Sequence, residues 1–141
     1  MLVRLLYASK LANSNQNNAI DSILAQSRKH NPDLGITGIL VYGEGIFLQA
    51  IEGGRQQVSE LYNLIARDPR HEQVVLLHFE EITQRRFGSW TMGQVNIAKV
   101  NPSVLLKYSA TAALDPFAVS GQVSLALLEE LMDSASVIGR T

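Results

Sequence analysis

The sequence predicts an α+β domain with elements in the order β-α-β-β-α-β-β, followed by a helical extension. Three observations carry that prediction. There are five short, β-compatible apolar runs, two amphipathic helical patterns that each stop at a proline, and a short glycine loop that joins two of the runs as a hairpin.

Residues 2–9 form the first strand, with Val3, Leu5 and Tyr7 on one face and Leu2, Arg4, Leu6 and Ala8 on the other. The polar run at 13–18 reads as a loop whose asparagines cap the following helix. Ile20, Ile23, Leu24 and Ser27 mark one face of that helix. It is expected over about residues 17–30, because Asn31 precedes a proline and is pushed out of the α region. Two strands at 35–42 and 46–52 flank Gly43-Glu44-Gly45 as a hairpin. After Gly53-Gly54, the residues Val58, Leu61, Tyr62 and Ile65 mark a second helix over 55–67, which ends at Asp68-Pro69. A fourth strand at 74–79, a charged turn through Arg85-Arg86-Phe87-Gly88, and a fifth strand at 89–97 carrying Trp90, Met92 and Val95 complete the set. Short crossovers then place both helices on one face of a ferredoxin-like sheet, in which the first and third strands are expected to be parallel neighbours. The plan closes near residue 97. The rest, with Leu125, Leu128, Leu131 and Met132 on one helical stripe, is expected to cover the helix-free face or an oligomer interface.

Composition removes several classes of function. The chain has 141 residues, no cysteine, 12 Lys+Arg against 13 Asp+Glu, and 18% charged residues. Without cysteine there is no disulfide framework, thiolate metal site or cysteine nucleophile. His30, His71 and His78 lack metal-ligand spacing. A formal charge of −1 gives no basic field for nucleic acid. The apolar N-terminal run is too short for a signal peptide, and no stretch reaches the length of a membrane span, so a cytoplasmic protein without membrane contact is expected. The low charge density points to a surface partly covered by other protein.

One position conflicts with its surroundings. Gln49 shares a strand face with Phe47 and Ile51, and a buried primary amide must find partners or forfeit about 1–3 kcal/mol. Tyr7 on the neighbouring strand can supply one. On patterning alone, this is either a polar pair that fixes strand register or the centre of a site.

The motifs around it decide between those readings. Tyr7-Ala-Ser9, Lys29-His30-Asn31 leading into Gly35-Ile-Thr-Gly38, Phe47-Leu-Gln49 with Glu52-Gly53, Arg67-Asp68-Pro-Arg70-His71, and Arg85-Arg86-Phe with Trp90 and Met92 together resemble the BLUF family of flavin-using blue-light sensors. The likeness runs over residues 2–97. It implies a flavin, usually FAD with FMN or riboflavin as variants, held between the two helices. It implies that Asn31 hydrogen-bonds the ring, that Gln49 lies between tyrosine and flavin, and that Tyr7 supplies an electron and a proton. Trp90 and Met92 match a pair near the glutamine that passes the change to the sheet, the bland reading being ordinary core fillers. Ser9 is expected to serve Trp90 or backbone groups. His30 matches a variable position beside the ring, or is a helix C-terminal histidine favoured by the dipole. Asp68 and Arg70 match a pair near the flavin's polar side, with Arg70 available to a phosphate; otherwise they form a solvated turn. The tail resembles that of short stand-alone members of the PixD type, which implies homo-oligomers and a separate downstream signalling protein. The chain is therefore expected to be a sensor and not an enzyme, with residues 1–97 as the sensor and 98–141 as the extension. Two alternatives are a light-independent interaction module and a small hydrolase of acylphosphatase type, for which the exit of the first strand offers no glycine-rich anion cradle.

Overall fold

The computed structural model describes residues 1–12 and 16–133. The element order is β1 (Leu2–Leu11), α1 (Gln16–Leu34), β2 (Thr37–Gly43), β3 (Ile46–Gly54), α2 (Arg55–Arg67), β4 (His71–Ile82), β5 (Gly93–Asn96), a 3-10 turn at Ile97–Lys99, α3 (Pro102–Leu106) and α4 (Gly121–Met132). The sheet order is β4-β1-β3-β2-β5, the ferredoxin-like arrangement with one added edge strand.

β1 and β3 are neighbours, but they run antiparallel, with Tyr7 opposite Gln49. The expectation of parallel pairing fails for a topological reason. The crossover through α1 makes β2 parallel to β1 while leaving a gap between them, and β3, the hairpin partner of β2, fills it in the opposite direction.

α1 also departs from expectation at both ends. It is already helical at Gln16, inside the run read as a loop, and residues 13–15 lie outside those described. At its other end it continues through Pro32 to Leu34. A proline there removes one backbone hydrogen bond close to a terminus, which the helix survives. The stop comes from Gly35, whose φ of 68° suits a residue without Cβ. Gly35 N donates to Pro32 O at 3.3 Å and Ile36 N to Asn31 O at 3.0 Å, the paired bonds of a Schellman cap.

The sheet is covered on both sides. Val3, Leu5, Tyr7, Leu40, Phe47 and Ile51 bury against Ile23, Leu24 and Val58 of the two helices. Leu6, Ala8, Ile39, Val41, Leu48 and Ala50 share the opposite cluster with Leu105, Leu114, Leu127, Leu128 and Leu131. The start of α4 lies directly on β4: a Cβ built at Gly121 would stand 2.3 Å from Leu77 O.

The second face holds a buried charged row. Glu52 on β3, Arg4 on β1 and Glu80 on β4 lie opposite one another, and Glu52 is fully buried. Its carboxylate accepts from Arg4 Nε at 2.7 Å, from Arg86 N at 3.0 Å and from Phe87 N at 2.6 Å, so both buried oxygens are hydrogen-bonded. Arg86 reaches on to Glu129 of α4 at 3.1 Å. The carboxylate thus ties down the loop before residue 88, and the regular strand expected over 89–97 shrinks to Gly93–Asn96. Replacing Glu52 with Ala leaves Arg4 with Glu80 as its remaining carboxylate and takes the acceptor from the buried Phe87 amide and the half-buried Arg86 amide; it should cost about 3–5 kcal/mol, read as a lower urea midpoint. An unchanged midpoint would show that this row does not hold the loop.

Candidate functional site

Between α1 and α2 a cleft of about 430 Å³ reaches down to the sheet. Tyr7, Gln49 and His71 form part of its floor, Asn31 comes from α1, and Ile23, Leu61 and Ile65 supply apolar walls. Leu34 and Leu64 at its rim are 45% and 59% exposed.

At the floor the Tyr7 hydroxyl donates to Gln49 Oε1, and Gln49 Nε2 donates to Met92 Sδ at 3.1 Å. The amide is 3% exposed and Tyr7 1%. Burial pushes the Tyr7 phenol far above its ordinary value; the nearby Tyr62 and Asp68 add to the rise, and Arg70 opposes it. Tyr7 therefore stays protonated and remains a donor.

Asn31 is buried one turn before the Schellman cap, and its Nδ2 donates to Thr91 O at 3.1 Å. With one of its two N–H donors so engaged, the side chain keeps the other N–H and a carbonyl oxygen. His30 is exposed and lines the cleft, and because α1 continues to Leu34 it does not occupy the last turn.

Asp68 and Arg70 form a fork in the α2–β4 turn, with Arg70 Nε 3.0 Å from each carboxylate oxygen. Arg70 also donates to Ser22 Oγ at 2.9 Å and Gln26 Oε1 at 2.8 Å, which straps the turn to α1. That fork holds the Asp68 carboxyl below the usual carboxylate range despite partial burial. Both residues line the cleft, so the pair is more than a solvated turn, and the arginine's charge is matched by its neighbour.

Trp90 and Met92 separate. Met92 lies on the cleft side in contact with Gln49, whereas Trp90 packs in the layer between the sheet and the C-terminal segment. Residues two apart in a regular strand share a face, but these precede β5, in an irregular segment where Trp90 O accepts from Gly38 N at 3.1 Å. Ser9 does not serve Trp90: its Oγ lies 2.8 Å from His71 Nδ1.

The cleft fits a flavin on its own chemistry. A flat aromatic ring would cover the exposed leucines, and its polar edge would meet two planar amides, Asn31 and Gln49, which carry both donors and acceptors. A family model described as "Sensors of blue-light using FAD" matches residues 2–93. The chain belongs to the BLUF family. Among curated relatives, it is 34% identical over 92 residues to the photoactivated adenylate cyclase subunit beta of Euglena longa, covering 64% of this chain and 11% of that protein. It is 33% identical over 88 residues to the blue light- and temperature-regulated antirepressor BluF of Escherichia coli K12, covering 62% of this chain and 22% of that protein. The chain thus spans less than a quarter of either relative's length. Among solved structures, BlsA in its photo-activated state aligns with a TM-score of 0.85 at 28% identity, covering 96% of this chain and 98% of that one. BlrB in the dark state aligns at 0.79 and 35% identity, covering 93% and 94%. This BLUF chain is a blue-light-sensing flavin domain.

His71, which closes the Arg67-Asp68-Pro-Arg70-His71 motif without a role expected from the sequence, belongs to the site. It lines the cleft, is 8% exposed, and packs its ring 5.1 Å from that of Phe47 and 6.2 Å from that of Tyr7. A β-bulge puts it there. Gln73, at φ 51°, is an extra residue in β4, so His71 and not Glu72 comes opposite Leu11 on the helix-covered face. The sequence signal was the imidazole itself, two residues before an apolar strand, but the bulge that aims it was not visible.

Burial lowers the His71 pKa below 6.5, and Arg70 adds to this against the pull of Asp68. Below 6.5 the unfolded chain binds protons that the folded chain resists, so stability falls on acidification there. The thermal midpoint should drop between about pH 7 and about pH 5, and His71→Asn should flatten that part of the profile. A second loss should follow below 3.8, where the Asp68 carboxylate must be protonated on unfolding. If His71→Asn leaves the upper part of the profile unchanged, His71 is not its source.

Proposed function

We propose that this chain binds FAD in the α1–α2 cleft and converts blue light into a rearranged Gln49 hydrogen-bond network, signalling through altered contacts with copies of itself or with a separate protein. The observation that carries this reading is the buried Tyr7–Gln49–Met92 chain of hydrogen bonds on the cleft floor. FMN or riboflavin would engage the same floor, since that end of the cleft meets only the ring.

A flavin excited by blue light supplies a strong oxidant beside the floor. Tyr7 is the donor. Its raised pKa opposes loss of the proton alone; the electron would go to the excited flavin and the proton would follow along the existing hydrogen bond through the Gln49 amide, which passes a proton on and stays neutral, and both would return to Tyr7 once the amide has turned. Gln49 suits this role because a turned amide exchanges donor and acceptor without creating a buried charge. Turned over, it would aim Oε1 at Met92 Sδ, which has no proton to give. Met92 would lose its partner. Two residues away Trp90 sits in the layer under α4, and Thr91 O between them is held by Asn31, so a shift at Met92 reaches the C-terminal segment through one short stretch of backbone.

On this reading residues 1–97 are the sensor and 98–141 the output element, and the chain performs no catalysis of its own. The same likeness favours a homo-oligomer. A hydrolase of acylphosphatase type is disfavoured because Arg70, the cleft arginine, is committed to Asp68.

Purified protein should carry flavin, released as FAD on denaturation, and should show a reversible red-shift of the flavin band under blue light. Tyr7→Phe should keep the flavin and lose the shift. A colourless protein after saturation with FAD, or a full shift in Tyr7→Phe, sinks the mechanism. Gel filtration in darkness and under blue light tests the output: identical profiles would exclude a change in self-association.

A further inference from the structure

The Ser9–His71 pair lies beside the Tyr7–Gln49 exchange without belonging to it. On the sheet floor, Tyr7 faces Gln49 and Ser9 faces Phe47, which makes four cross-strand residues on one face of β1 and β3. His71 arrives from β4 at this group. Its Nδ1 is 2.8 Å from Ser9 Oγ, and its ring touches Phe47 at a 55° tilt and stands at 73° to the Tyr7 ring. On another side Tyr7 meets Tyr62 of α2, with ring centroids 5.9 Å apart. The phenol is thus confined between two rings, and one of those rings is pinned by a hydrogen bond to the strand that carries Tyr7.

We propose that His71 is a positioning residue for the photochemical step: anchored by Ser9, it holds the Tyr7 ring so that its hydroxyl stays aligned on Gln49 Oε1. The proposal rests on Tyr7 being the electron and proton donor. Alignment matters because a hydrogen bond weakens steeply as its angle closes, and a proton that must leave with the electron needs that path already formed. Ser9 and His71 donate nothing to Gln49 themselves. Their contribution is to remove the rotations of Tyr7 that would break the path. The Gln73 bulge serves the same end, since without it Glu72 would occupy the position of His71.

The test uses the full chain with its flavin and the variants Ser9→Ala, His71→Leu, His71→Asn and Ser9→Ala/His71→Leu. Flavin content per chain and the quantum yield of the red-shift are measured for each. Ser9→Ala should bind flavin at the wild-type ratio and lose about three- to tenfold in quantum yield, the factor expected for one neutral hydrogen bond. His71→Leu should lose a similar factor, and the double variant no more than the worse single, because both remove the same anchor. His71→Asn presents an amide to Ser9 Oγ from the same distance along the side chain but no ring to Tyr7, and should recover part of the yield lost in His71→Leu. Wild-type yield in Ser9→Ala overturns the proposal, as do multiplicative losses in the double variant or a His71→Asn as poor as His71→Leu. If His71→Leu fails to hold flavin, Ser9→Ala and His71→Asn decide the matter alone. A red-shift that survives Tyr7→Phe would instead mean that the donor assignment has failed; a silent Tyr7→Phe beside a wild-type Ser9→Ala would mean that only the positioning role has.

Discussion

The amide of Gln49 is buried on an apolar strand face, and the geometry of the cleft follows from satisfying it. Its oxygen needs a donor and its nitrogen an acceptor, both from within the fold. Tyr7 meets the first need only because β1 lies antiparallel beside β3 with these two residues in register. Met92 meets the second only because the segment before β5 is irregular enough to send Met92 and Trp90 to opposite sides of the sheet. A thioether is a weak acceptor, so the amide is held firmly at one end and lightly at the other. That asymmetry suits a group that has to turn over.

The irregular segment needs support, and this comes from the far side of the sheet. Glu52 gathers the side chain of Arg4 and the backbone amides of Arg86 and Phe87, fixing the loop where the strand would otherwise have continued. It stands three residues from Gln49 on the same strand, facing the other way. β3 therefore carries the cleft amide on one face and the anchor of the answering loop on the other. Since Arg86 also meets Glu129, the C-terminal helix is tied to the same anchor by charge as well as by apolar packing.

Much of this was legible in the sequence. The hairpin, α2 and the polar intrusion at Gln49 announce themselves through period-two and period-3.6 patterns. The covered second face was legible because every strand alternates apolar residues to both sides. What escaped depends on pairing rather than on pattern. The direction of β1 against β3 follows from which gap the hairpin fills; the length of α1 from the cap at Gly35, which outweighs the proline before it; the separation of Trp90 and Met92 from the pull of Glu52 on a loop 34 residues further along. The role of His71 was hidden most deeply, because it rests on one bulged residue in a neighbouring strand.

That bulge makes the electrical character of the cleft a matter of counting. Lys10 and Glu72 face each other on the side of the sheet away from the cleft, and His71 and Leu11 come next on the cleft side, because β4 is one residue longer than β1 at this point. Substitution at Gln73 leaves that count intact, whereas a one-residue deletion there would bring a carboxylate beside Tyr7 with every other residue of the strand unchanged. In β4, spacing is therefore held more strictly than side-chain identity, and a length change of one between residues 71 and 75 would alter this sensor more than most substitutions within the same stretch.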